Sequence, residues 1–204
     1  MSHPAFFDEV KTLTLRDPLA EILGAASGGL MTYGYLDAVK LAGHSCPTVA
    51  GAYLMTLKAL ERLYPPGVPE RGGVRVELRA AQAEGVTGVI AAVAGLLTGA
   101  AGEGGFKGLG GRFSRRDLLR FATGSAAELR FVRIDTGAAV AASYHPEVVP
   151  PPHGLPMLMQ KLLAGEASAV ERAEFGRLWQ ERVRKILIEH ADDPALIECR
   201  DEPA

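Results

Sequence analysis

Cysteine is scarce in this chain, and its scarcity removes several classes of protein at once. The 204 residues include two cysteines, Cys46 and Cys199. They lie too far apart for a Cys-x-x-Cys pair and are too few for a disulfide framework, which points to a reducing compartment. Net charge is also small: 22 Lys and Arg stand against 24 Asp and Glu. No global electrostatic case for nucleic acid or an anionic membrane surface follows from that balance. Long apolar runs are missing too. The longest, Val86 to Ala101, is broken by glycines and threonines and is too short to span a bilayer comfortably. Met1 to Asp8 lacks a basic segment followed by an apolar core, so no signal peptide is expected and the expected location is cytoplasmic. Internal repeats are absent. No Ser-His-Asp order can be argued, and no Cys-x-x-Cys-His attachment for covalent haem is present.

What is present suits one α+β domain with a sizeable core. Hydrophobic residues make up 48% and charged residues 23%, as in ordinary globular chains. The first sixteen residues read as a short helix containing Phe6, Phe7 and Val10. Asp17-Pro18 reads as an N-cap and first helical residue, with Gly24 as the stop, and Ser27-Gly28-Gly29 as a tight turn. Thr32 is expected to cap a helix from Tyr33 to Ala42, ended by Gly43. Pro47 to Leu63 carries Val49, Tyr53, Leu57 and Leu60 at helical spacing, with Lys58, Glu61 and Arg62 on its polar side. Val74 to Arg79 alternates as a half-buried strand, with Glu77 on the face opposite Val76. Thr87 to Thr98 is a small-residue helix expected in the core or in a subunit contact. Leu129 to Ile134 and Ala138 to Tyr144 pair as antiparallel strands through Asp135-Thr136-Gly137. Beyond Pro150 the tail reads as helical. It has a short helix from Pro156 to Leu163, then a long one opened by the Ser168-x-x-Glu171 capping box and continuing to about His190. The division expected is a core over residues 1–150, a small antiparallel sheet packed with helices, and a helical extension over 151–204 docked on it.

The stretch Gly43-His44-Ser45-Cys46-Pro47 carries the chemistry. Proline suits the first helical position, so Cys46 falls at the N-cap, where the positive end of the helix dipole favours a thiolate. His44 lies on irregular backbone and can turn toward the same spot, which makes the corner a metal or reactive-thiol site. A metal needs further ligands; His145, His153, Glu77, Glu103 and a residue of a second protomer are the candidates, with His145 first because it ends a strand beside proline. The glycine-rich segment Gly99 to Arg112 lacks the G-x-x-x-x-G-K-[ST] order, since Gly108 follows Lys107. It reads as a tight loop, or as an anion or ligand loop in which Gly102, Glu103 and Lys107 contact the bound group. His190 near a helix C-terminus reads as structural. Trp179 belongs to the apolar stripe of the last long helix, and Arg182, Arg184 and Lys185 read as a solvated face.

Gly43-His44-x-Cys46-Pro47, taken with the strand at Glu77 and with Thr98-Gly99 and the glycines after it, resembles the FmdE family of formylmethanofuran dehydrogenase proteins over roughly residues 30–120. That family carries His-Gly-His-x-Cys-Pro-Gly at the start of a core helix and often Thr-Gly-Cys downstream. Here Ala42 replaces the first histidine, Thr48 the last glycine and Ala100 the downstream cysteine. The resemblance implies an intertwined homodimer with an α+β core and a metal at the His-x-Cys corner, without the C-terminal zinc finger of some members. The two missing ligands imply a sparser site, suited to an open metal position or a bulkier cofactor.

Three functional readings follow. In the first, a transition metal (zinc, iron, copper or nickel) is held by His44 and Cys46 with His145 next, in a Lewis-acid or redox role. In the second, haem is bound without covalent attachment, with Cys46 or a histidine as axial ligand. In the third, the chain is a non-catalytic dimeric module whose tail binds a partner and whose cysteine is structural.

Overall fold

The computed structural model describes residues 3–202. Of the expected N-terminal helix, Met1 and Ser2 lie outside them; a single 3-10 turn over Ala5–Glu9 seats Phe6 and Phe7 in the core. The chain then extends into β1 (Leu13–Arg16), which pairs antiparallel with β2 (Leu30–Tyr33). Thr14 and Thr32 face each other across this ribbon with hydroxyls 2.9 Å apart. Between the strands lies α1 (Pro18–Ile22), capped as expected by Asp17, which accepts from the amides of Leu19 and Ala20.

The ribbon corrects the expectation for Thr32. Leu30 to Tyr33 is strand, and α2 (Tyr35–Ala42) starts at Tyr35 rather than Tyr33, with Gly34 at the cap. The Asp37 carboxylate accepts the Gly34 amide at 2.9 Å, a capping bond that Thr32 does not supply. What makes these residues a strand is a partner on the far side of α1, which local propensity does not register.

Helix α3 (Pro47–Leu63) is the centre of the molecule. From Val49 to Leu57 every residue is buried, so it presents an apolar stripe only in its last turns, where Glu61 and Arg62 are exposed. Ala50, Gly51 and Ala52 let neighbours close in. On its flanks pack α2, α4 (Thr87–Thr98) and a five-stranded sheet in the order β4-β3-β5-β6-β7. Strands β3 (Val74–Leu78), β5 (Leu129–Arg133), β6 (Ala139–Tyr144) and β7 (Ile197–Glu202) run antiparallel to one another in that order, and the two-residue β4 (Leu119–Arg120) pairs parallel with β3. This is an α+β fold. Ile90, Val93, Ala94 and Leu97 of α4 are buried, so that small-residue helix lies in the core.

The tail forms α5 (Leu155–Leu163) and α6 (Ala169–Arg184), the latter opened by the expected capping box, with Ser168 Oγ accepting the Glu171 amide and Glu171 accepting the Ser168 amide. The reading of the tail as helical needs one correction: after α6 the chain returns to the sheet as β7, whose register sets Tyr144 opposite Ile197 and Ala139 opposite Glu202. Ile197-Glu-Cys-Arg-Asp-Glu is mostly charged, as suits an edge strand protected against further pairing, and it therefore does not read as a strand. No helix among the described residues is long and apolar enough to cross a membrane.

Candidate functional site

The site is built where α2 hands over to α3. Gly43 adopts a left-handed φ of 76°, and its amide closes α2 on Val39 O at 2.9 Å. The turn that follows carries His44, Ser45 and Cys46. Cys46 is the N-cap of α3: Sγ accepts the Val49 amide at 3.4 Å. The His44 ring is fixed by Nδ1, 2.9 Å from Ala42 O. A carbonyl only accepts, so Nδ1 carries the proton in that bond and the lone pair of the neutral ring is on Nε2, the arrangement of a metal-ligating histidine. Helix α6 clamps the turn from the other side. Trp179 Nε1 and Gln180 Nε2 donate to Ser45 O at 2.9 and 3.2 Å, and Ser45 Oγ lies 2.9 Å from Tyr35 Oη.

His44 and Cys46 open onto a cavity of about 640 Å³. Pro47, Val86, Val89, Ile90, Pro146 and Trp179 make its walls apolar, while Thr48, Glu128, Tyr144 and Arg182 add polar groups. Five separate stretches of chain contribute: the α2–α3 turn, the start of α4, the start of β5, the end of β6 and the middle of α6.

Each polar group has a distinct environment. Burial raises the Glu128 carboxyl above the ordinary carboxylate range, partly offset by the Tyr144 amide that it accepts at 3.3 Å and by Arg79 and His145. Burial pushes the Tyr144 phenol up as well, so it stays protonated. Its Oη is buried and has no hydrogen-bond partner among the described residues. The Tyr144 ring lies against α3 at Gly51, where any Cβ would overlap it. Arg182 is held by two carbonyls, Nε donating to Val149 O at 2.8 Å and Nη2 to Pro146 O at 3.0 Å. Neither carbonyl neutralises its charge, and no carboxylate pairs with it among the described residues.

Of the residues singled out from sequence, His44 and Cys46 come together. His145 does not line the cavity: its Nδ1 is 3.4 Å from Glu147 and its Nε2 3.8 Å from Glu198. Side chains alternate along extended chain, so the neighbours Tyr144 and Pro146 face the cavity instead. Glu77 is held by Arg75 at 2.7 Å and Arg130 at 3.0 Å on the other face of its strand. Gly102, Glu103 and Lys107 do not line the cavity either; Glu103 O accepts Arg116 Nε at 2.7 Å in a loop folded on Arg115. Sequence reasoning missed Glu128, Tyr144 and Arg182. For Arg182 a signal existed: it is three residues from Trp179, hence on the same helix face and not on a solvated one.

The sequence profile described as FmdE, Molybdenum formylmethanofuran dehydrogenase operon, matches residues 41–193. The chain belongs to the FmdE family. A search of curated proteins finds no match. The FmdE match begins at Leu41, inside the span of roughly 30–120 read from the motif, and runs beyond its end through α6, so Trp179 and Arg182 fall within it.

A metal role is what the FmdE description suggests, and the donor set tests it. His44 Nε2 and Cys46 Sγ suit a borderline or soft transition metal. Among the described residues, no group of three or more His, Cys, Asp and Glu side chains is placed to hold a metal ion. A closed site of four protein ligands from one chain is not what these residues make. They fit a metal that keeps ligands of its own, for which the cavity has room.

Proposed function

We propose that this FmdE-family chain binds a transition metal at the His44/Cys46 corner, with the metal's remaining ligands supplied from the cavity side by a cofactor, water or a second copy of the chain. The observation that supports this most is the orientation of His44. Its Nδ1–H is committed to Ala42 O, which leaves Nε2 as a lone-pair donor beside the same cavity as the Cys46 thiol. When bound, the metal supplies Lewis-acid or redox chemistry. The chain's own residues would hold it: α6 fixes the turn through Ser45 O, and the Val49 amide orients Sγ at the mouth of an apolar-walled cavity.

Metal analysis after purification without added metal salts tests this, together with cobalt(II) titration. The expected result is bound metal and a thiolate-to-cobalt charge-transfer band in the wild type. Cys46→Ser should lose the band, and His44→Ala should bind at least tenfold more weakly, the scale on which a lost supporting group already acts. Unchanged metal content in both variants would sink the reading.

A second form of the proposal is favoured by the cavity's volume and apolar walls: the metal arrives in haem, bound non-covalently with Cys46 or His44 as axial ligand. A protein that shows no Soret band after haem addition excludes it. A homodimer belongs to the proposal as well, and light scattering at several concentrations checks it.

A further inference from the structure

Apart from the two metal donors, the cavity presents a charge without a carboxylate partner and a hydroxyl without a hydrogen-bond partner among the described residues. Arg182 is the charge. Elsewhere on α6, Arg177 pairs with Glu174 at 2.7 Å and with Glu181 at 3.1 Å, and Arg184 pairs with Glu189. Arg182 instead points its guanidinium at two backbone carbonyls, which hold its plane and leave its charge without a carboxylate partner among the described residues, at the wall of a half-open cavity. A guanidinium so fixed is suited to a carboxylate, sulfonate or phosphate oxygen. The hydroxyl is Tyr144 Oη, buried, protonated and without a partner among the described residues. Leaving a buried donor unmade is costly, and because Tyr144 lines the cavity while its Oη has no exposed surface, a bound molecule reaches the hydroxyl with a small shift of the ring. Gly51 gives this tyrosine its seat, since a side chain there would displace the ring. Arg182 acts on the Tyr144 phenol electrostatically, as do Glu128 and Glu147 with the opposite sign, which sets these groups in one neighbourhood.

Glu128 makes no ion pair with Arg182 among the described residues; its carboxyl accepts the Tyr144 amide, and burial raises its pKa. Between the polar groups the walls are apolar and include the indole of Trp179, in a volume typical of sites for drug-sized molecules.

We infer that the cavity binds an organic anion: a molecule with a largely apolar, ring-bearing body and one acidic group, the acid seated on Arg182 and Tyr144 Oη and the body against Trp179, Val86, Val89 and Ile90. This goes beyond the metal reading and does not need the metal. The two share a cavity, and the test is run on protein treated with a chelator.

Trp179 is the single tryptophan of the chain, so its fluorescence reports occupancy of this cavity directly. The probe is 8-anilinonaphthalene-1-sulfonate, compared with N-phenyl-1-naphthylamine, which has the same rings without the sulfonate. Both should quench Trp179 saturably, the sulfonate about tenfold more tightly, in line with one charge-assisted contact. Arg182→Gln should erase that preference and leave the neutral probe where it was; Arg182→Lys, keeping the charge without the fork, should fall between. Tyr144→Phe should weaken the sulfonate several-fold and the neutral probe little. Val89→Phe, which fills the cavity, should weaken both. Equal affinity for the two probes, a preference that survives Arg182→Gln, or sulfonate binding untouched by Val89→Phe would each overturn the inference. A variant that loses its circular dichroism spectrum is replaced by Arg182→Lys, for which an unchanged preference is likewise fatal. Metal content in Cys46→Ser and His44→Ala is unaffected by any of these outcomes, so either idea fails without the other.

Discussion

Two regions of this molecule gather arginine around a cleft, and they treat it in opposite ways. Beneath α1, Arg71 and Arg115 converge on Asp17 at 3.0 and 2.7 Å, and Asp17 also caps the helix. Gly72 and Gly99, both at positive φ, make way for the Arg115 guanidinium, and the cleft left over, about 120 Å³, has Glu70 as a further carboxylate. The chain supplies the counter-charge there and the space left is small, although Arg71 Nε and Arg115 Nη1 are themselves buried without a hydrogen-bond partner among the described residues. At the α2–α3 corner, Arg182 and Tyr144 face about 640 Å³ with neither a carboxylate nor a hydroxyl partner among the described residues. The first arrangement ties the β1–β2 ribbon to the loops before β3 and after α4. The second holds its polar groups ready for something from outside. Burial of charge by itself does not distinguish architecture from a site; whether the chain supplies the counter-charge does.

The largest effect expected on breaking that contrast comes from Asp17→Asn. It leaves two guanidiniums facing each other without their shared carboxylate and weakens the α1 cap, and loss of one member of a buried ion cluster costs about 3–5 kcal/mol. Urea unfolding at neutral pH measures it. The wild type should show the matching pH dependence. Burial acts to raise the Asp17 pKa, but the bonds from Arg71 and the Ala20 amide and the field of Arg115 carry it below its ordinary value. A depressed carboxyl contributes stability that is fully present above the unfolded pKa, near 4, and is lost as pH falls through the folded one. Glu128 in the cavity has the opposite sign. Its pKa is raised, so its contribution is fully present below the unfolded value and is lost as pH rises through the folded one. Glu128→Gln should therefore flatten the loss of stability as pH rises above the unfolded carboxyl value, and Asp17→Asn the loss as pH falls below it. A single slope shared by both variants would erase the contrast between the two regions.

Next in size is Gly51→Ala. A methyl at this point of α3 overlaps the Tyr144 ring, and overpacking of this kind costs about 1–3 kcal/mol. The more telling readout is the sulfonate probe: with Tyr144 displaced, binding should weaken even where the variant remains folded. Unchanged stability and unchanged binding would mean that the ring has another place to go.

Much of the fold is legible because its signals are local. Cys46-Pro47 marks the start of α3, Ser168 and Glu171 that of α6, and alternation marks β3, β5 and β6. The end of strand β2 reads as a helix cap and first helical residue, and β7 does not read as a strand, because each depends on a distant partner: β2 on β1, and β7, charged as an edge should be, on β6. The site divides in the same way. His44 and Cys46 are two residues apart and share one turn, so spacing suffices. Glu128, Tyr144 and Arg182 come from three other elements and meet only when the sheet and α6 close over α3. Of the pair at the strand end, the histidine attracts the metal reading through its chemistry, while the period of the strand turns the tyrosine inward.

The smallest expected effect discriminates best. Tyr144→Phe removes a hydroxyl that makes no bond within the described chain, and with it the desolvation cost of an unpaired donor, so stability should hold or rise by up to about 1 kcal/mol. Were the Tyr144 hydroxyl bonded within the chain as the Asp17 carboxylate is, the same substitution would destabilise, because partners would be left behind. Thermal unfolding with and without the sulfonate probe separates the cases. Without the probe the variant should match or exceed the wild type. With it the wild type should gain more, since a ligand that binds only the folded state stabilises according to its affinity. That crossover, a residue dispensable to the fold and needed by the ligand, is what an unpaired polar group in a cavity wall predicts and what a counter-charged core forbids.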